Sequence, residues 1–185
     1  MKKALLLIIS LFLIPISMAF AYETVLVDFP QNQNWQAVYY GTQGTEAILQ
    51  YVPNGQTDTN WTKTLVFHSY KDPNITGSAS TFMDRTTMQM EAQNSSQIYK
   101  YTKYDEMDSI ATRCIVKNAN MPTQCEIYRI SKSFEGLISM HYINKNISDF
   151  KNTYNLWYNI VANVRIYMSY YRDDQIMNKA SSFEL

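Results

Sequence analysis

The two cysteines constrain the fold of this chain more than any other pair of residues. Cys114 and Cys125 are the only cysteines present, and the segment 118–123 between them has the composition of a turn flanked by β-prone residues. If the flanking strands pair with the cysteines opposite each other, Arg113 faces Glu126 and opposite charges meet. We therefore predict a hairpin with a Cys114–Cys125 disulfide and a structural ion pair between Arg113 and Glu126. A redox-active cysteine is the alternative, but the spacing is not C-x-x-C.

The N-terminal segment predicts export. Lys2 and Lys3 precede an almost unbroken apolar run over 4–18, and residues 19–21 (Ala-Phe-Ala) form the small-x-small pattern of a signal-peptidase site. The run is shorter than the ~20 residues that a membrane-spanning helix needs, although a retained anchor is the alternative. We expect a bacterial signal peptide over 1–21 and a mature protein in the periplasm or the medium, where disulfides persist.

The charge balance and the absence of familiar motifs exclude several functional classes. The chain has 16 Lys and Arg against 16 Asp and Glu, and the loss of Lys2 and Lys3 leaves 14 basic residues against 16 acidic ones. Nucleic-acid binding usually requires a basic excess, so we expect no nucleic-acid partner. No Gly-rich phosphate loop, H-E-x-x-H motif or Cys/His cluster is present, so we expect no cofactor and no metal. No later segment is suited to stable membrane insertion.

Hydrophobic periodicity predicts an α+β fold. Alternating patterns indicate strands at 35–40, 45–52, 62–70, 97–104, 109–117, 124–131 and 137–143, and spacings of three and four indicate helices at 78–93 and after Asn146 or Ser148. Because runs of adjacent strands are separated by two helices, and strict strand–helix alternation is absent, a layered α+β domain with antiparallel strands is expected. It forms a single domain over 22–171, followed by a polar tail over 172–185.

The helix boundaries are predicted from capping residues. Ser80 or Thr81 is the expected N-cap of the first helix, with Asp84 in its first turn. The second helix has Asp149 in its first turn. Its apolar face is predicted to comprise Phe150, Tyr154, Trp157, Val161, Val164 and Met168.

Three polar residues are candidates for catalysis. His68 and His141 are the only histidines of the chain, and both lie on predicted strands. Ser139 shares a strand face with His141, because residues two apart in a strand point the same way. A Ser–His–acid hydrolase in a cleft at the sheet edge is therefore one hypothesis. No G-x-S-x-G elbow supports it, and we favour ordinary packed sheet residues instead.

A second candidate is a tyrosine-rich strand. Strand alternation places Tyr99, Tyr101 and Lys103 on one face. Such a face is suited to binding a glycan, a peptide or single-stranded nucleic acid. The alternative, which we favour, is a face that packs under a helix or loop.

Two segments resemble an uncharacterised family of small Gram-negative exported proteins. Residues 55–62 read G-Q-T-D-T-N-W-T and resemble a G-Q-x-x-x-N-W-T motif, and residues 124–130 resemble a C-E-I-x-R-I strand, with Trp157 in the final helix. The resemblance implies export and a PsbP-like α/β/α sandwich, in which an antiparallel sheet is flanked by two helices, and it supplies no catalytic residues. The residues themselves predict that Trp61 is a core anchor.

These observations lead to three functional hypotheses. The first is a non-catalytic exported protein that binds an unidentified protein or small ligand, as an accessory virulence factor if a pathogen secretes it. The second is a small secreted hydrolase that uses His141 or His68. The third is an envelope chaperone or assembly factor, which would be expected to bind a specific client.

Overall fold

The structure is a computed structural model, and it describes residues 22–31, 33–72, 77–93, 96–115, 123–169 and 181–184. The predicted signal peptide over 1–21 lies outside the described residues. Neither of the two helices in the described ranges is long and apolar enough to cross a membrane.

The described residues form ten strands and two helices. In chain order they are β1 (Tyr22–Val27), β2 (Trp35–Gln43), β3 (Glu46–Pro53), β4 (Lys63–Tyr70), α1 (Ala79–Gln93), β5 (Ser96–Tyr104), β6 (Asp108–Ile115), β7 (Gln124–Lys132), β8 (Leu137–Asn144), α2 (Ile147–Ala162), β9 (Arg165–Ser169) and β10 (Ser181–Glu184). Seven strands form one sheet in the order β2-β3-β4-β8-β7-β6-β5, and three form a second sheet in the order β10-β1-β9. All neighbouring strands are antiparallel.

The two helices cover opposite faces of the seven-stranded sheet. Trp157 of α2 packs in one core cluster with Ile127, whereas Met83 of α1 packs in a second cluster with Tyr128. Because Ile127 and Tyr128 are adjacent on β7, their side chains point to opposite faces. This arrangement confirms the α+β fold with an antiparallel sheet between two helices. We call the two sides the α1 face and the α2 face.

Polar contacts at both ends position α2. Asn146 is the N-cap, and its Oδ1 accepts a hydrogen bond from the backbone N–H of Asp149 at 3.0 Å. At the other end, Arg129 of β7 donates from Nη1 to the carbonyl oxygens of Val161 and Val164 at 2.9 and 3.0 Å. A cation at the C-terminus of a helix satisfies carbonyl groups that lack helical partners. The position of α2 over the sheet is therefore held by side chains at each end.

The predicted extension of this helix to Met168 is wrong. The helix ends at Ala162, and Arg165–Ser169 form β9 instead. Val164 is buried just beyond the helix in the same core cluster. The sequence spacing continued because the chain keeps burying apolar residues on the same side after it leaves the helix.

The predicted N-cap of α1 is also wrong, by two or three residues. Ser78, not Ser80 or Thr81, caps the helix, because its Oγ accepts a hydrogen bond from the backbone N–H of Thr81 at 3.2 Å. With the helix beginning at Ala79, Asp84 lies beyond the first turn. Its carboxylate instead accepts a hydrogen bond from the hydroxyl of Tyr104.

The small sheet was not anticipated from the sequence. Ser181–Glu184 pair with β1, so the expectation of a polar tail over 172–185 is wrong for these four residues. The fully buried carboxylate of Glu23 on β1 accepts hydrogen bonds from the backbone N–H groups of Phe134 and Glu135 in the β7–β8 turn. This buried carboxylate ties the small sheet to the large one.

The motif at 55–62 forms the connection between β3 and β4. Gly55 has a φ of 83°, a conformation that favours glycine. The side chain of Gln56 accepts a hydrogen bond from the backbone N–H of Thr62 at 2.7 Å, which closes the loop. Trp61 is only half-buried, and the ammonium of Lys145 lies 3.6 Å from its ring centre. The expectation that Trp61 anchors the core is therefore wrong.

The cysteine hairpin is present in the predicted register. Cys114 on β6 pairs with Cys125 on β7, Arg113 pairs with Glu126, and the two cysteines form a disulfide. The cross-link closes a short loop at the end of β6 and β7. Helix α1 contacts both of these strands, and α2 contacts β7.

We predict that replacing both cysteines by serine lowers the free energy of unfolding by about 2–3 kcal/mol, because the open chain gains entropy when the loop is no longer closed. Denaturant unfolding of the wild type and of the Cys114→Ser/Cys125→Ser variant measures this difference. Reductant should destabilise the wild type by a similar amount and leave the variant unchanged. A wild type that is equally stable with and without reductant contradicts the prediction.

Candidate functional site

A continuous chain of polar side chains crosses five strands on the α1 face. We call it the polar chain, and its members in order are Glu46, His68, Tyr70, Ser139, His141, Glu126 and Arg113. Each member is hydrogen-bonded to the next. The sheet brings them together because residues directly opposite on neighbouring strands share a face. All three catalytic candidates and the hairpin ion pair belong to this chain.

His68 has two partners. Its Nε2 lies 3.0 Å from a carboxylate oxygen of Glu46, and its Nδ1 lies 2.9 Å from the hydroxyl of Tyr70. The Tyr70 ring also stacks on the imidazole, with 4.0 Å between ring centres. Burial lowers the pKa of His68 below its usual range, and the neighbouring Glu46 only partly offsets this. His68 is therefore neutral at pH 7.

At the other end of the polar chain, Glu126 joins His141 to Arg113. One carboxylate oxygen lies 3.1 Å from Nδ1 of His141, and the other accepts a hydrogen bond from Nε of Arg113. Burial alone would raise the pKa of Glu126, but the Arg113 guanidinium and the contact with His141 lower it to about 2. The Tyr128 ring stacks on the His141 imidazole, with 4.1 Å between ring centres, and Cζ of Arg113 lies 4.2 Å from the Tyr128 ring centre. The carboxylate is thus ionised at pH 7.

Ser139, His141 and Glu126 have the connectivity of a hydrolase triad. Oγ of Ser139 lies 3.2 Å from Nε2 of His141, whose Nδ1 contacts the carboxylate. However, Ser139 is 0% exposed, and its hydroxyl is also hydrogen-bonded to Tyr70. It lies on β8 between β4 and β7, where strand pairing on both sides occupies the backbone N–H groups that an oxyanion hole would need. The geometry suits a structural network better than nucleophilic attack.

The location of the histidines differs from the expectation of a cleft at the sheet edge. His68 lies on β4 and His141 on β8, which are adjacent strands in the middle of the sheet. The sequence indicated strands but did not reveal their order, so it could not distinguish a central position from an edge.

The common face predicted for Tyr99, Tyr101 and Lys103 is wrong for Tyr101 and Lys103. Strand β5 has register shifts between Ile98 and Lys100 and between Tyr101 and Lys103. Each shift inserts one residue and reverses the faces that follow. Tyr101 therefore lies opposite Ala111 on the α1 face, whereas Lys103 lies opposite Ile110 on the α2 face. The side chain of Tyr99 lies outside the described residues.

The α2 face carries a cleft that sequence reasoning missed. We call this cavity of about 540 Å³ between α2 and strands β5–β7 the α2 cleft. It exists because α2 packs over β7 and β8 and leaves the outer strands uncovered on this face. The cleft is lined by Lys100, Thr112, Cys114, Ile115, Thr123, Cys125, Ile147, Phe150, Lys151 and Tyr154.

The floor of the α2 cleft is fixed by the hairpin. Both disulfide cysteines and Thr112 lie there, and the Thr112 hydroxyl is 3.0 Å from the hydroxyl of Tyr154 on α2. This contact and the disulfide link the floor to the helical wall without filling the space between them. A sequence signal did exist, since Thr112, Cys114 and Cys125 fall on one face in the predicted hairpin register. The sequence did not indicate how far α2 extends over the sheet, so it could not predict the open space beside the helix.

In the described part of the chain, no group of three His, Cys, Asp or Glu side chains is placed to hold a metal ion.

Comparisons with known proteins give no match to a protein family, a curated protein or a solved structure. The functional argument therefore depends on the sequence and structure of this chain.

We predict that Glu126→Gln costs about 3–5 kcal/mol of stability at pH 7, because it leaves the buried Arg113 cation without its partner. The same variant should have a weaker dependence of stability on acid pH. In the wild type, a folded pKa near 2 gives stabilisation that is complete above the unfolded value of 4.5 and is lost as the pH falls toward 2.

Denaturant unfolding at a series of pH values tests both parts. The double variant Arg113→Met/Glu126→Leu is the control, since it removes both charges and should be less destabilised than Glu126→Gln. Equal stability of wild type and Glu126→Gln at pH 7 would show that the ion pair does not stabilise the fold.

Proposed function

We propose that the chain is an exported protein of a Gram-negative bacterium, periplasmic or released, that binds a partner without catalysing a reaction. The observation that carries this proposal is the α2 cleft. Its volume of about 540 Å³ falls in the range of roughly 300–1,000 Å³ that is typical of small-molecule sites. The proposed partner is therefore a small ligand.

The construction of the α2 cleft supports binding. Its lining comes from two layers of the fold, with Phe150 and Tyr154 on the helical wall and Cys114 and Cys125 on the floor formed by the sheet. Phe150 and Cys125 are almost fully buried, and both belong to the hydrophobic core on this face. The site is therefore preformed rather than assembled by a mobile loop. A preformed site loses little conformational entropy when a ligand binds.

Two observations support export. The segment 1–21 has the charge, apolar run and small residues of a signal peptide. The Cys114–Cys125 disulfide is of a kind that persists in oxidising compartments and is rare in the cytosol. The resemblance of 55–62 and 124–130 to exported Gram-negative proteins agrees with this proposal.

A small hydrolase is the second candidate, and the Ser139–His141–Glu126 connectivity is the observation in its favour. The complete burial of Ser139 weighs against it, because a nucleophile must reach the substrate.

We expect Ile147→Trp to weaken binding of the neutral apolar fluorophore N-phenylnaphthylamine by about tenfold, because the larger side chain fills the α2 cleft. Fluorescence titration measures the dissociation constant. Leu156→Trp is the matched control, since Leu156 is exposed on the same helix and does not line the cleft. Equal binding by the wild type and Ile147→Trp would refute the cleft as the binding site.

We expect Ser139→Ala and His141→Ala to hydrolyse p-nitrophenyl acetate at the same background rate as the wild type. Circular dichroism confirms that each variant remains folded. Hydrolysis by the wild type that both variants lose, with the fold intact, would replace the binding proposal by the hydrolase.

Export predicts a protein that begins at Tyr22 and carries an intact disulfide. Its intact mass, measured from separated periplasm and medium, should be lower by two hydrogens before reduction than after it. An uncleaved and reduced protein in the cytoplasm would overturn the export proposal and leave the cleft to be tested separately.

A further inference from the structure

We infer that the ligand of the α2 cleft is a free single-chain amphiphile with an anionic head group, such as a fatty-acid carboxylate. This inference rests on the proposed binding function and adds the chemical class of the ligand. It depends on two features of the cleft, which are its apolar interior and the two cations that flank it.

The interior of the α2 cleft suits a hydrocarbon chain. Ile115, Ile147 and Phe150 line it together with the disulfide, which has no strong hydrogen-bonding group. Each methylene that such a surface removes from water tightens binding by about fourfold. A volume of about 540 Å³ lies in the lower half of the range for small-molecule sites, which favours one chain over the two chains of a membrane phospholipid.

The charges at the α2 cleft select an anion. Lys100 on β5 and Lys151 on α2 are exposed and line the cleft from its two walls, and none of its lining residues is acidic. The register shift before Lys100 places this residue opposite Thr112 and therefore on the α2 face. Plain alternation from Ile98, which lies opposite Arg113 on the α1 face, would have placed Lys100 on that face as well, so the shift directs this cation to the cleft.

These two lysines also differ from three lysines whose charge is neutralised by a carboxylate. The ammonium groups of Lys63, Lys71 and Lys103 each lie within 4.0 Å of a carboxylate. Among the described residues, Lys100 and Lys151 have no carboxylate within that distance. Their positive charges are not neutralised locally, so an anionic head group beside the apolar cleft would complement both.

The test compares three ligands that share one chain and differ in head-group charge. Isothermal titration of the full mature protein with decanoate, decanol and decyltrimethylammonium, each below its micelle-forming concentration, gives the three affinities. We expect decanoate to bind about tenfold more tightly than decanol, and decyltrimethylammonium to bind most weakly.

Charge-removing variants assign the selectivity to the two lysines. Lys100→Gln and Lys151→Gln should each weaken decanoate binding roughly threefold, and the double variant about tenfold, with decanol unaffected. Lys132→Gln is the matched control, because Lys132 is exposed and does not line the cleft. Its affinity for decanoate should equal that of the wild type.

The outcomes separate this inference from the binding proposal. Equal affinity for decanoate and decanol would overturn the anionic head group and retain an apolar binding site. Binding of N-phenylnaphthylamine but of none of the three chains would overturn the amphiphile and retain the cleft. Binding of no probe would overturn both proposals. Binding to phosphatidylglycerol vesicles but not to decanoate would replace the free ligand by a membrane surface.

Discussion

The pairing of β6 with β7 is the constraint on which the rest of the structure depends. The Cys114–Cys125 disulfide fixes their register at one end, and β7 presents Ile127 to the α2 core and Tyr128 to the α1 core. Because a slip of one residue would move every side chain to the opposite face, this register decides which residues each helix can bury. Arg129 on the same strand then fixes the end of α2. Both helical layers are therefore positioned from one hairpin.

The two faces of this hairpin have different physical roles. On the α1 face, Arg113 and Glu126 continue into a hydrogen-bonded network that includes both histidines, and burial makes any break in that network costly. On the α2 face, the same two strands leave an apolar space beside the helix. The polar chain resembles a catalytic arrangement yet has a buried serine, whereas the cleft is accessible and its described lining includes no His, Asp or Glu. Accessibility, more than the identity of the polar residues, decides which feature is suited to a function.

The parts of the fold that the sequence could predict depend on local pairing. Opposite charges and two cysteines in one register were sufficient to predict the β6–β7 hairpin, and apolar spacing was sufficient for most strands and both helices. The bulges in β5 could not be predicted, because the segment around Tyr101 alternates similar residues and gives no preference for an inserted position. Strand β10 was missed because it pairs through its backbone and carries little apolar sequence. The α2 cleft depends on how far one helix extends over a sheet, which no local pattern contains.

Amide hydrogen exchange of the oxidised protein and of the Cys114→Ser/Cys125→Ser variant tests the central role of the hairpin most directly. If the cross-linked register organises both helical layers, the variant should exchange faster in β6, in β7 and in both helices, whereas β2 and β3 at the far end of the sheet should change little. Faster exchange that is uniform over all strands would show only a global loss of stability. Unchanged protection of α1 and α2 would contradict the account, because the helices would then be held independently of the hairpin.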